Sequence, residues 1–259
     1  MRNSLRFGPL NACTIALVIT SLSCATPDRT PGTDYFRNDF RCKNEIHKES
    51  DPKFLLAYAA YRKRMFAEAQ EGIKESFAVI AGESTAALFT DERVERYLPG
   101  IQITNRGIPG DTTALLHLRL NEDLISLNPS VIILAIGGND ILAGRCLTKI
   151  LENISLILAR SVEALPATRI YVVSIPPVVS GKANSITPHF NQALRALAES
   201  FAGVRYMDLW PILADTDSAS LKREYRIVLP DGKTDAVHFN ESGYKKWAEL
   251  ILPEMERDK

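Results

Sequence analysis

The chain has 259 residues, of which 46% are hydrophobic and 24% charged, the balance of a protein that can build a full core. Lys plus Arg numbers 31 and Asp plus Glu 31, with no long run of one sign, so the electrostatic footprint of a nucleic-acid binder is missing. Length alone permits one or two domains, and a single α/β domain commonly fills this size.

The first 25 residues differ in kind from the rest. Arg2 and Arg6 precede an apolar run from Ala12 to Leu22, followed by Ser23, Cys24 and Ala25, and this reads as an export signal over residues 1–25. The run is shorter than the ~20 apolar residues a bilayer-spanning helix needs. Two processing routes fit. In one, a signal peptidase cuts after Ala25; in the other, Cys24 is the lipidated first residue of a bacterial lipoprotein, with Ser21 where Leu is usual. Either route sends the protein out of the cytoplasm, to be secreted, periplasmic or tethered to a membrane of the bacterial envelope.

Residues 26–51 mix Pro, Gly, Asp, Arg and Asn and read as an irregular arm or tether. From Pro52 to Ser76, Phe54, Leu55, Tyr58, Ala59, Tyr61, Met65, Phe66 and Ile73 recur at helical spacing, which predicts an amphipathic helix leading into a domain spanning 52–259. Short apolar, β-prone runs then alternate with helical stretches. The strands are expected at 77–81, 101–104, 131–136, 169–175 and 204–207. The helices are expected at 91–97, 114–126, 147–164, 188–201 and 242–255. Continuously apolar strands separated by helices predict a parallel sheet covered on both faces, with ligands bound beyond the carboxyl ends of its strands.

Polar and Gly-rich segments gather at those ends. Gly82-Glu83-Ser84-Thr85 follows the first strand and is expected to open a helix. A serine there is most often only a cap, and the elbow of α/β-hydrolases is absent because Ala86 stands two residues after Ser84. Three later blocks change its weight: Asn105-Arg106-Gly107-Ile108-Pro109-Gly110-Asp111-Thr112, Gly137-Gly138-Asn139-Asp140, and Asp235-Ala236-Val237-His238. Each also has a plain reading as a turn, a cap or a surface loop.

In this order the four blocks resemble the SGNH (GDSL-type) hydrolase family, whose likeness runs from Phe77 to Leu252 and includes His238-Phe239-Asn240-Glu241-Ser242-Gly243-Tyr244. The resemblance implies a three-layer α/β/α sandwich around a five-stranded parallel sheet in flavodoxin-like order. It implies a serine esterase with Ser84 as nucleophile, His238 as base and Asp235 orienting the base. It further implies that Gly110 and Asn139 complete an oxyanion hole beside the Ser84 N–H. The residue types suit the chemistry: a hydroxyl needs a base to become a nucleophile, imidazole titrates near neutrality, and a glycine N–H can approach an oxyanion closely. Asp231 also lies upstream of His238, but it is followed by Gly232 and reads as a turn residue.

One departure stands out: the family usually has Asp where this chain has Glu83. Rival readings are an acyltransferase using the same triad, an inactive surface-binding lipoprotein, and a structural envelope protein. The substrate expected is a small-molecule, carbohydrate or lipid ester, with short acyl chains favoured. No Cys/His spacing suggests a metal and no Gly-rich phosphate loop is present, so no cofactor is expected. His47, His117 and His189 have no partner pattern. Cys42 and Cys146 remain in the mature domain and suggest one disulfide in an oxidising compartment, with two separate thiols as the alternative.

Overall fold

The computed structural model describes residues 51–70 and 77–257. The export signal, the arm up to residue 50 and Cys42 lie outside them. Five strands, β1 (Ala78–Gly82), β2 (Ile103–Gly107), β3 (Val131–Ala135), β4 (Arg169–Val173) and β5 (Val204–Met207), form one sheet in the order β2-β1-β3-β4-β5. All four pairings are parallel. This is the expected flavodoxin-like sandwich, with β2 at one edge. β1 and β3 are buried along their whole length, which is why they read as unbroken apolar runs.

Alternate residues of the strands feed two cores. On one face Ile80 and Ile133 meet the C-terminal helix α9 (Glu241–Arg257) and the short helices α2 (Ser84–Ala87), α3 (Asp91–Tyr97) and α8 (Trp210–Leu213). Phe89, Phe239, Tyr244 and Trp247 pack there edge-to-face or tilted, with ring centroids 4.5–6.4 Å apart. On the other face Val79, Ile132 and Leu134 meet α4 (Thr113–Asp123), α6 (Leu147–Ala164) and α7 (Ala183–Glu199). The helix α5 (Gly138–Leu142) follows β3 directly.

The differences from the expected elements have physical causes. The first helix, α1, spans Pro52–Gln70, and the remainder of its expected range lies outside the described residues. β2 runs on through Asn105, Arg106 and Gly107, which pair with Ile80, Ala81 and Gly82, so the polar block begins inside the strand and not after it. α7 starts five residues before Pro188, because the Asn184 side chain bonds both the N–H (3.0 Å) and the carbonyl (2.9 Å) of Val178 and fixes the chain's entry into the helix. Between the last expected strand, 204–207, and the last expected helix, 242–255, the chain adds α8 and an antiparallel hairpin, β6 (Arg226–Val228) with β7 (Thr234–Phe239).

Candidate active site

Ser84 is the first residue of α2, directly beyond β1. Its helix is fastened by Asn105, whose amide donates to the carbonyls of Ala86 and Phe89, both at 2.8 Å, and by the Tyr244 hydroxyl, which donates to the Thr85 carbonyl at 3.1 Å. The edge strand and the C-terminal helix therefore both hold the serine in place.

His238 lies on β7. The ladder pairs Arg226 with Phe239 and Val228 with Thr234, so five steps on β7 face only two on β6, and the intervening segment bulges. The bulge is stabilised by Asp235, whose Oδ1 accepts the N–H of Val237 (2.8 Å) and of His238 (2.9 Å). The same carboxylate faces His238 Nδ1, 3.0 Å from Oδ2 and 3.2 Å from Oδ1. His238 Nε2 lies 2.9 Å from Ser84 Oγ. The turn back from Asp235 to His238 is thus made by a bulged strand. Partial burial would raise the Asp235 carboxyl, but the two backbone N–H bonds and the imidazole outweigh it and hold it below its ordinary value. Asp231 is exposed at the hairpin tip, bonded and ion-paired to Lys233, as a turn residue should be.

Gly110 occupies the third position of a turn that the Asp111 N–H closes onto the Ile108 carbonyl at 3.1 Å. Pro109 precedes it and its φ is +78°, the signature of a type II turn, where only glycine is unstrained. The Ile108 N–H bonds the Gly82 carbonyl at 2.9 Å, tying this turn to the end of β1. Asn139, in the first turn of α5, donates one amide hydrogen to the Asp111 carbonyl at 2.9 Å. Ser84, Asn139, Glu83 and Gly138 share the rim of a small pocket with Ile141, Leu142, Ile175, Val178 and Val237.

Glu83 is buried and accepts the N–H of Gly138 (3.1 Å) and of Asn139 (2.9 Å), bridging the β1 and β3 ends. Its extra methylene is accommodated by a missing one: a Cβ at position 138 would lie 2.5 Å from Glu83 Oε1. Burial pushes the Glu83 carboxyl up to about 8, while the bonds from Asn139 and Gly138 pull the other way.

Several residues of this region had no role in the sequence reading. Asp140 is fully buried and accepts from the backbone N–H (2.9 Å) and hydroxyl (3.1 Å) of Thr113, anchoring the start of α4. Arg119 and Asp111 form a buried ion pair, Nε at 2.9 Å and Nη2 at 2.7 Å from Oδ2. Arg119 did carry a signal: it falls between Leu116 and Leu120 on the apolar face of α4, where a cation requires a partner. His117 lies apart from the site, beside Arg160. Cys146 is disulfide-bonded, with its partner outside the described residues. Among the described residues no cluster could hold a metal ion and no helix is long and apolar enough to cross a membrane.

Residues 72–246 match the sequence model of the GDSL-like Lipase/Acylhydrolase family. Similar solved structures include a protein from Streptococcus pneumonia proposed to be a platelet activating factor, at TM-score 0.66 and 23% identity over 78% of this chain and 97% of that one. A GDSL-like lipase from Bacteroides thetaiotaomicron aligns at TM-score 0.60 and 18% identity, over 79% and 98%. An acetylxylan esterase from Geobacillus stearothermophilus aligns at TM-score 0.54 and 16% identity, over 71% and 95%. A search of curated proteins found no match.

Proposed function

The chain belongs to the GDSL-like lipase/acylhydrolase family, a family of esterase-type hydrolases, and from that premise we propose that it cleaves carboxylic esters through an acyl-enzyme on Ser84. The observation that carries this reading is the 2.9 Å contact between Ser84 Oγ and His238 Nε2, with Asp235 on the other ring nitrogen. Bonded to Asp235, Nδ1 keeps its proton and Nε2 is left to accept the proton of Ser84. Ser84 Oγ attacks the ester carbonyl carbon as His238 takes that proton. The tetrahedral oxyanion is held by the N–H groups of Ser84 and Gly110 and by the second amide hydrogen of Asn139, the first being engaged by Asp111. His238 then returns its proton to the leaving alcohol. Water releases the acid from Ser84 by the same sequence.

The pocket beside Ser84 is apolar and small, walled by Ile141, Ile175, Val178 and Val237, and this favours a short acyl group. The alcohol part lies on the open side and can be carbohydrate, lipid or a simple alcohol. Export fits the same picture: the basic and apolar residues 1–25 act as a signal, Cys24 is the candidate lipid anchor, Cys42 is the proposed partner of Cys146, and a disulfide at Cys146 suits an oxidising compartment.

The test is an activity profile on p-nitrophenyl esters of increasing chain length, with Ser84→Ala beside the native protein. Hydrolysis should peak at short chains, and Ser84→Ala should lose on the order of 10³-fold or more in kcat. Unchanged kinetics in Ser84→Ala would end the proposal.

A further inference from the structure

The helix α1 (Pro52–Gln70) precedes the family-matched segment 72–246, yet it reaches the site. Tyr58, Arg62 and Phe66 are spaced by four and form one stripe of the helix. Each grips a charged group. The Tyr58 hydroxyl donates to Asp111 Oδ1 at 2.8 Å; Arg62 pairs with Asp123 at 3.4 Å and with Glu122; Phe66 lies against the Arg106 guanidinium at 4.6 Å. Phe54, Leu55, Ala59 and Met65 are half-buried beside this stripe, while Leu56 stays 73% exposed on the other side of the helix.

Asp111 is the point where these contacts meet the oxyanion hole. Its Oδ2 takes two bonds from Arg119, and Arg119 Nη2 also reaches the Gly82 carbonyl at 3.3 Å, two residues before Ser84. Its N–H closes the Pro109-Gly110 turn, and its carbonyl holds the Asn139 amide. A rotation of Asp111 would therefore move both side-on donors of the hole. The remaining carboxylate oxygen, Oδ1, is held by Tyr58. Burial, and next the Asp111 carboxylate, raise the Tyr58 phenol above its ordinary value, so its hydroxyl is a donor throughout the neutral range.

We propose that Tyr58 is a positioning residue for the oxyanion hole, holding Asp111 so that the Pro109-Gly110 turn and the Asn139 amide keep their places. This rests on the esterase reading for its kinetic consequence. It also means that a helix preceding the matched segment 72–246 supports the hole.

The test uses the full chain and Tyr58→Phe, which keeps the ring and removes the hydroxyl. Its kcat should fall about tenfold with KM within about twofold, because a misplaced donor weakens the transition state and not substrate binding. The pH profile of kcat should not shift, since Ser84, His238 and Asp235 are untouched. In an Asn139→Ala background the same substitution should cost about threefold or less, because one of the groups it positions is gone. Hydrogen exchange of the 107–113 segment should speed up in Tyr58→Phe and stay native in Leu56→Ala on the exposed face of α1. A full tenfold loss persisting in Asn139→Ala, or native exchange of 107–113 in Tyr58→Phe, would overturn the proposal. Native-like hydrolysis by Ser84→Ala would instead sink the esterase reading, and the exchange measurement would still decide the role of Tyr58.

Discussion

Replacing Gly138 by alanine sets one methyl group against the buried carboxyl of Glu83. The added Cβ would lie 2.5 Å from Glu83 Oε1, about 1 Å inside the distance at which carbon and oxygen pack. Gly138 has ordinary helical φ, so the collision and not backbone strain sets the effect. Glu83 must withdraw and give up its bonds to the Gly138 and Asn139 N–H groups, each worth about 1–2 kcal/mol. The better helix propensity of alanine returns about 1 kcal/mol, leaving a net loss of about 2 kcal/mol, or about 4–8 °C in Tm for a domain of this size. Shortening the acid removes the collision, so Glu83→Asp combined with Gly138→Ala should recover at least half of the loss. Urea unfolding followed by circular dichroism, on the native chain, both single variants and the pair, measures the coupling. If the two single losses simply add, within about 0.5 kcal/mol, the size exchange between positions 83 and 138 is not what the structure implies.

Three further outcomes are expected. Because Glu83 holds its proton up to about pH 8 in the folded chain and to about 4.5 when unfolded, its favourable contribution is complete below 4.5 and lost as pH rises to 8; Glu83→Gln should flatten the stability profile between pH 5 and 8, and an unchanged slope would count against the buried acid. Asp235→Asn should lower kcat by up to ~10⁴-fold near neutrality while Asp231→Asn stays near native on the same short-chain ester, and the reverse ranking would reassign the acid. Asp235 is lowered in the folded chain, so its stabilising part is present above the usual carboxylate pKa and lost as pH falls below it. If Cys24 is lipidated, the native protein should partition into detergent and Cys24→Ala into water; a wholly aqueous native protein outside the cytoplasm would favour plain signal cleavage.

The parallel sheet was legible before any coordinates, because β1 and β3 are apolar on both faces; its strand order was what the resemblance to the family implied. Ser84 and Asn139 were legible as candidates because they stand beyond neighbouring strands of the parallel sheet, whereas Asp235 and His238, on the β7 hairpin strand, were legible only through the resemblance to the family. The hairpin was missed, since β6 is three residues long and the bulge interrupts the alternation that would betray β7.

What residue spacing determines is local: which face of a helix or strand a side chain occupies. It placed Tyr58 among the helically spaced residues of α1 and could have placed Arg119 on the inward face of α4, but it could not say that the two meet on opposite oxygens of Asp111. Nor could it show that the longer acid at 83 fits because position 138 has no side chain. Such pairings are decided by the tertiary structure alone. They depend on how far apart two elements pack, and a buried charge or methylene finds its complement across that gap, not along its own helix or strand.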